Sequence, residues 1–285
     1  MTTGGAAAIR AATLEDLGEI RSILAEHDND GPIEGADIVG PYVRHLIQVG
    51  RSLVVDEGSR LLAFGATVAT GDGRHLTDLF VRTDRLGGGL GRLLLDALFA
   101  GDWPRTTFAS DDPRAMPIYI RAGMAPLWTC LYLQGTTDRL PDADRRLTTE
   151  SADPDGLAEL ERTWTGRDRS ADHGFWASQA EADPFVVLEA GEVVAGGYGR
   201  ARQRGPARAV DRLLIRPDRE PLGPIVAGLR RTARGGQVLA CLPGPNPAVR
   251  QLLEAGFRLE DRDTYMASEP DLVDPARLLP NPGML

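Results

Sequence analysis

Lysine is absent from all 285 positions, so the 32 basic residues are all arginine. Without a Gly-Lys-Ser/Thr run there is no P-loop. Cysteine is almost as scarce. Cys130 and Cys241 stand far apart with no metal-type spacing, which points away from a disulfide framework or a metal site and toward a reducing compartment, the cytoplasm. No run of about 18 apolar residues occurs, and the opening Met-Thr-Thr-Gly-Gly-Ala-Ala-Ala has no basic region leading into an apolar one, so neither a membrane span nor a secretion signal is expected. An excess of basic charge is missing too. The net charge of −9 and a pI near 5.0 set up a negative field that opposes binding to nucleic acid or to an anionic membrane. What is present is 42% hydrophobic content, enough in a chain of this length to fill the cores of two domains of about 140 residues each.

A faint internal repeat supports two domains. Leu79-Phe80-Val81-Arg82-Thr83 precedes Asp84-Arg85, and Leu213-Leu214-Ile215-Arg216-Pro217 precedes Asp218-Arg219, 134 residues on. Ala122-Gly123-Met124 has its counterpart in Ala255-Gly256-Phe257, and Val54-Val55-Asp56-Glu57-Gly58 in Val187-Leu188-Glu189-Ala190-Gly191, both 133 residues on. Three matches in one order at nearly one offset define two copies. The expected boundaries are 1–135 for the first, 136–146 for a polar linker and 147–268 for the second. Residues 269–285, with four prolines, are expected to wrap over the surface without forming an element.

Each copy reads as a helical region, an antiparallel meander, a helix, a strand and a helix, an α+β arrangement. In the first copy, Thr13-Leu-Glu-Asp-Leu resembles a helix start whose threonine hydroxyl caps free amides, the helix running to Glu26. Strands are predicted over Arg51–Val55, Leu61–Ala69 and His75–Arg82, a helix over Gly91–Phe99, a strand over Thr106–Ser110, and a helix over Pro113–Ala122 stopped by Gly123.

The chemistry concentrates where the third strand runs through Gly87, Gly88, Gly89, Leu90, Gly91 and Arg92 into a helix. Glycines let backbone N–H groups approach a ligand, and a helix start adds unpaired donors and the positive end of its dipole, so the turn suits a phosphate. A Rossmann fingerprint would need glycine at position 92, which is Arg. The stretch is instead similar to the Arg/Gln-x-x-Gly-x-Gly/Ala pyrophosphate loop of the GCN5-related N-acetyltransferase superfamily, with Gly89 and Gly91 as its glycines and Leu86 in place of its opening Arg/Gln. Asp112-Pro-Arg-Ala115-Met-Pro-Ile-Tyr119-Ile-Arg-Ala-Gly123-Met124 resembles the family's Asn-x-x-Ala-x-x-x-Tyr-x-x-x-Gly-Phe, with Asp112 for Asn.

The resemblance implies two tandem domains of that α+β fold, each a mostly antiparallel sheet flanked by helices. It implies acetyl-CoA as cosubstrate, no metal, and a small-molecule primary amine as acceptor. The glycine loop would hold the pyrophosphate, with Asp112 nearby. The backbone of Leu79, Phe80 and Val81 would pair with the pantetheine arm and polarise the thioester carbonyl, and Tyr119 would protonate the departing thiolate. For the general base, the same strand offers His75 and Asp78. Strict alternation sets His75, Thr77, Leu79 and Val81 on one face, Asp78 and Phe80 on the other. The acidic segment from His27 to Asp37 is a candidate wall of the acceptor pocket.

The second copy reads as silent. Glu220-Pro221-Leu222-Gly223-Pro224-Ile225 falls where the first has Leu86 to Gly91, and Leu252 where it has Tyr119; the prolines remove donors and the carboxylate repels phosphate. The aromatic and ionisable stretch from Trp164 to Trp176 is a candidate wall of the acceptor cleft. A monomer with an internal pseudo-dimer and a homodimer both fit. A non-catalytic acyl-CoA-binding or partner-binding module of the same fold is the alternative to an enzyme.

Overall fold

The computed structural model describes residues 7–27, 39–58, 60–141, 145–202 and 205–285. Its first half runs β1 (Ala8–Ala11), α1 (Leu17–Ala25), α2 (Val39–Val49), β2 (Arg51–Glu57), β3 (Arg60–Thr70), β4 (Gly73–Val81), α3 (Leu90–Leu98), β5 (Arg105–Ala109), α4 (Ala115–Arg121) and β6 (Ala125–Thr136). The second half repeats that order as β7 (Leu147–Ser151), α5 (Pro154–Thr165), α6 (Ser170–Ala177), β8 (Asp183–Glu189), β9 (Glu192–Ala201), β10 (Arg208–Ile215), α7 (Leu222–Ala233), β11 (Gln237–Pro243), α8 (Ala248–Glu254) and β12 (Arg258–Ala267). A short β13 (Leu278–Leu279) follows. The duplication is therefore present element by element. A capping box opens the first helical region: the Thr13 side chain faces the Asp16 N–H while the Thr13 N–H donates to Asp16 Oδ2 at 2.7 Å, and Arg10 clamps the same carboxylate.

The strands join into one sheet in the order β1-β2-β3-β4-β5-β12-β6-β11-β10-β9-β8-β7, with β13 beside β10. Its centre is an exchange. The last strand of the second half, β12, lies against β5 of the first, and the last strand of the first, β6, lies against β11 of the second. The two exchanged strands pair with each other. Trp128 of β6 stacks on Tyr265 of β12 at 4.2 Å, and Phe108 of β5 meets Tyr265 at 5.4 Å, which packs the seam with aromatic surface. Met266 of β12 is buried in the core that α3 and α4 form over the first half. That core rests on Leu94, Leu95 and Leu98 of α3, while α1 and α2 cover the other face through Ile20, Ile23, Val43 and Leu46.

Cys130 on β6 and Cys241 on β11, far apart in sequence, meet as buried free thiols with their Sγ atoms 2.6 Å apart. One expectation is corrected by this topology. The C-terminal segment does form an element: Leu278 and Leu279 of β13 pair with Leu214 and Leu213 of β10, and Leu278, Leu279, Met284 and Leu285 are all buried. Among the described residues no helix is long and apolar enough to cross a membrane.

Candidate active site

A bulge creates the site. Register between β3 and β4 slips after Ala66↔Asp78 to Thr67↔Leu76, leaving Thr77 as the extra residue, and a bulge bends its strand. Parallel pairing of β4 with β5 accordingly covers only Arg74–Leu76 against Arg105–Thr107. Beyond Leu76 the strands part around a cleft of about 630 Å³, a normal size for a small-molecule site. The bond from Arg82 N–H to Leu62 C=O (2.9 Å) fixes the phase of the β3–β4 ladder. Because ladder groups alternate in direction, the N–H and C=O of Leu79 and Val81 turn away from β3 into the cleft, whereas those of Phe80 turn to β3. The Val81 carbonyl accepts a 2.8 Å bond from His27 Nε2. Residues 28–37 of the acidic segment lie outside the described residues.

The glycine turn closes one end of the cleft. Gly87 and Gly89 have φ of +80° and +82°, a region open to glycine and strained for any side chain. Gly89 caps α3, whose first bond runs from Leu93 N–H to Gly89 C=O at 3.0 Å. The amides of Leu90, Gly91 and Arg92 therefore precede the helical ladder. Of the stretch from Gly87 to Arg92, all but Gly88 line the cleft. So do Arg85, Arg114 and Arg121, which with Arg92 give a cationic lining to a protein of net charge −9. Asp112 lines it as well, but its carboxylate accepts from Arg114 Nε and Nη2 at 2.9 and 2.6 Å and from the Arg114 N–H at 2.8 Å. These bonds hold its pKa below the ordinary value. Arg114, two residues along the same motif, is the group that Asp112 presents.

Asp78 and Tyr119 share the floor of the cleft with Leu76, Thr77 and Thr107. Both are buried, at 9% and 8% exposure. Burial lifts the Asp78 carboxyl to about 6, against a hydrogen bond from the Tyr42 hydroxyl that lowers it. Burial likewise pushes the Tyr119 phenol up, and the charge of Asp78 adds to it. A proton acceptor poised near neutrality therefore lines the same cleft as a phenol that stays protonated. His75 goes elsewhere. It is fully buried, its Nε2 donates to Pro282 C=O at 3.1 Å, and its Nδ1 accepts from Thr106 Oγ1 at 3.0 Å. With its lone pair engaged and its pKa lowered by burial to about 4, it is a neutral structural group outside the cleft. The alternation read from sequence holds after the bulge and fails before it: Leu79 and Val81 share the α3 side and Phe80 and Asp78 turn to α1 and α2 as expected, but Leu76 takes the place of His75 beside Leu79 and Val81.

No family model matches the sequence, and no curated protein matches it. Solved structures do. A protein of Pyrococcus horikoshii provisionally assigned as an acetyltransferase superposes with a TM-score of 0.70 over 100% of this chain and 95% of its own, at 14% identity. A tandem GNAT protein from the clavulanic acid biosynthesis pathway gives 0.61 over 94% of this chain and all of its own, at 14% identity. A GCN5-related N-acetyltransferase of Sphaerobacter thermophilus gives 0.57 over 92% and 95%, at 16% identity. The chain has the tandem GCN5-related N-acetyltransferase fold.

The second acetyltransferase-like half parts its strands in the same way, with β10 and β11 paired only over Arg208–Val210 and a shift between Val210 and Arg212. Its gap is filled from within. β13 pairs with Leu213 and Leu214, and Ile215 N–H donates to Arg277 C=O at 2.8 Å. These residues stand where Leu79, Phe80 and Val81 stand in the first half. Pro221 caps α7 with φ −78° and no left-handed glycine, Leu252 is packed in the core in place of Tyr119, and Arg212 replaces Asp78. Arg212 Nη2 lies 2.6 Å from Glu161 Oε1, a buried ion pair. The segment from Trp164 to Trp176 lines no part of the first cleft: Trp176 packs under Arg169 and Arg212, while Asp172 and Phe175 meet His45 of α2 in the first half.

Proposed function

We propose that this chain is an N-acetyltransferase that moves an acetyl group from acetyl-CoA directly to a primary amine of a small molecule, in the first half only, with the two halves acting as a pseudo-dimer within one chain. The observation that carries this reading is the edge at Leu79 and Val81 that no strand pairs, bordered by the glycine turn and sharing its cleft with Asp78 and Tyr119. The chain's own residues fit the cosubstrate. Amide-rich chain suits the Leu79 and Val81 edge, as the pairing of Arg277–Leu279 with the equivalent edge of the second half demonstrates for a peptide. Pyrophosphate suits the amides of Leu90 to Arg92 and the arginine lining. The Leu79 N–H, fixed by its strand, is placed to bind a developing oxyanion.

Bound acetyl-CoA supplies the acyl group: the new C–N bond forms as the thioester C–S bond breaks. Asp78 takes the proton that the amine loses, and Tyr119 gives a hydrogen bond, then a proton, to the departing sulfur. Because Asp78 must be ionised to accept, activity falls as pH drops through about 6. Release of free CoA thiol from acetyl-CoA over a panel of primary amines tests the reading. Turnover with at least one amine, reduced about 10²- to 10⁴-fold in Asp78→Asn, is expected. Acetyl-CoA binding without turnover across the panel would instead make the first half an acyl-CoA-binding module.

A further inference from the structure

Tyr42 of α2 stands between Asp78 and the C-terminal segment. Its hydroxyl lies 2.8 Å from Asp78 Oδ2 and 3.1 Å from the Gly283 carbonyl oxygen. A phenol has a single hydrogen, and Gly283 C=O can only accept. When Asp78 is ionised, Tyr42 donates to it. When Asp78 carries a proton, that proton can point to the Tyr42 oxygen while the phenol hydrogen turns to Gly283. Both states of the carboxyl thus have a bond waiting for them.

The second acceptor is held firmly. Arg169, at the start of α6, donates to the Met284 and Leu285 carbonyls at 2.7 and 2.6 Å and to Asp172 Oδ2 at 2.8 Å. The other Asp172 oxygen lies 2.7 Å from His45 Nε2, one turn along α2 from Tyr42, and the His45 ring stacks on Phe175 at 4.5 Å. His75 holds Pro282 and Asn281 holds Asp211. Buried Arg169, Asp172 and His45 and half-buried Tyr42 form a chain of contacts closed by residues 283–285, joining the second half to the carboxylate of the first. A half with a filled cleft is here a mount for its partner's base.

We propose that Tyr42 is the positioning residue of the catalytic carboxylate, a two-way hydrogen-bond partner for Asp78 whose second acceptor, Gly283, is supplied through the second half. The proposal rests on Asp78 being the base. Besides Tyr42, the titratable groups around Asp78 are Tyr119 from α4, His75 on its own strand and His27 at the end of α1. The Thr77 hydroxyl also bonds Asp78 and has a second acceptor in Ala66 C=O at 3.0 Å; of the two partners, Tyr42 is the one whose second acceptor, Gly283, lies in the C-terminal segment.

Steady-state kinetics of Tyr42→Phe against pH, with the amine found in the turnover screen, tests this. Removing a bond that lowers the Asp78 pKa raises it, so the acid limb of kcat/KM moves to higher pH, and kcat at the optimum falls about ten-fold, the worth of one hydrogen bond to a charged group. Acetyl-CoA affinity stays within about two-fold of wild type, since Tyr42 is not among the residues lining the CoA cleft. In an Asp78→Asn background the same change has no further effect on turnover. An unmoved acid limb with kcat kept overturns the role of Tyr42 while leaving the acetyltransferase reading intact. Full turnover by Asp78→Asn overturns that reading itself, whatever Tyr42→Phe does.

Discussion

The two clefts of this molecule are the same piece of architecture in two conditions. Both arise from a bulge in the third strand of the meander that turns it from its parallel neighbour. In the second half the exposed edge is paired by Arg277–Leu279; in the first it is open. A parted strand has unpaired N–H and C=O groups that need partners. The second half finds them within the chain and gains fold stability. On the proposed reading the first leaves them to a ligand, along with a glycine turn and a carboxyl whose ionised form opposes folding. Binding energy and folding energy are alternative uses of one edge.

Breaking the first cleft has the largest expected effect. Asp78→Asn lowers turnover about 10²- to 10⁴-fold, and it stabilises the fold as it does so. The folded-state pKa of Asp78 is raised from 3.8 to about 6, so the ionised form opposes folding by up to ~3 kcal/mol above that pH and by nothing below about 3.8. Chemical denaturation should therefore show the variant ahead of wild type at about pH 8, with the gap closing toward about pH 4. Gly89→Glu places a side chain at φ +82° and a carboxylate at the anion site; acetyl-CoA affinity should drop more than about 100-fold in a titration. A change in the corresponding turn of the second half, Glu220→Ala at the position of Leu86, should leave affinity unaltered, since β13 fills the cleft of that half.

Tyr119→Phe keeps the packing and removes the proton, so kcat should fall at least about ten-fold with the acetyl-CoA Kd unchanged. The second cleft breaks differently. Leu279 is 1% exposed inside the core of its half, and Leu279→Ala should cost about 2 to 5 kcal/mol in denaturation. Saturating acetyl-CoA should return part of that loss by binding the native state alone, about 2.7 kcal/mol at 100 times Kd.

The sequence shows what is local. The glycine turn, Tyr119 one helical turn before Gly123, and most element boundaries follow from residue types and spacing, because turn chemistry and amphipathic period act within a few residues. The repeat also exposed the loss of the loop and of Tyr119 in the second half. Other features depend on distant partners. Strict alternation assumes an unbroken strand, so the bulge at Thr77 shifted the faces of β4 and made His75 look as suitable a base as Asp78. The exchange of β6 and β12, the meeting of Cys130 with Cys241 and the seat of β13 pair residues from different ends of the chain. Tyr42, His27 and Arg114 reach the site through the fold; His27 opened the acidic segment read as a pocket wall and Arg114 stood two residues after Asp112 at the mouth of the motif, while Tyr42 carried no signal. Arg212 was within reach, since the offset of 134 maps it onto Asp78 once the strand is known to matter.

A calorimetric titration of the intact protein with acetyl-CoA addresses the contrast between the clefts most directly. The account predicts one site per chain, abolished by Gly89→Glu and retained in Glu220→Ala. Two sites, or one that survives Gly89→Glu, would contradict it.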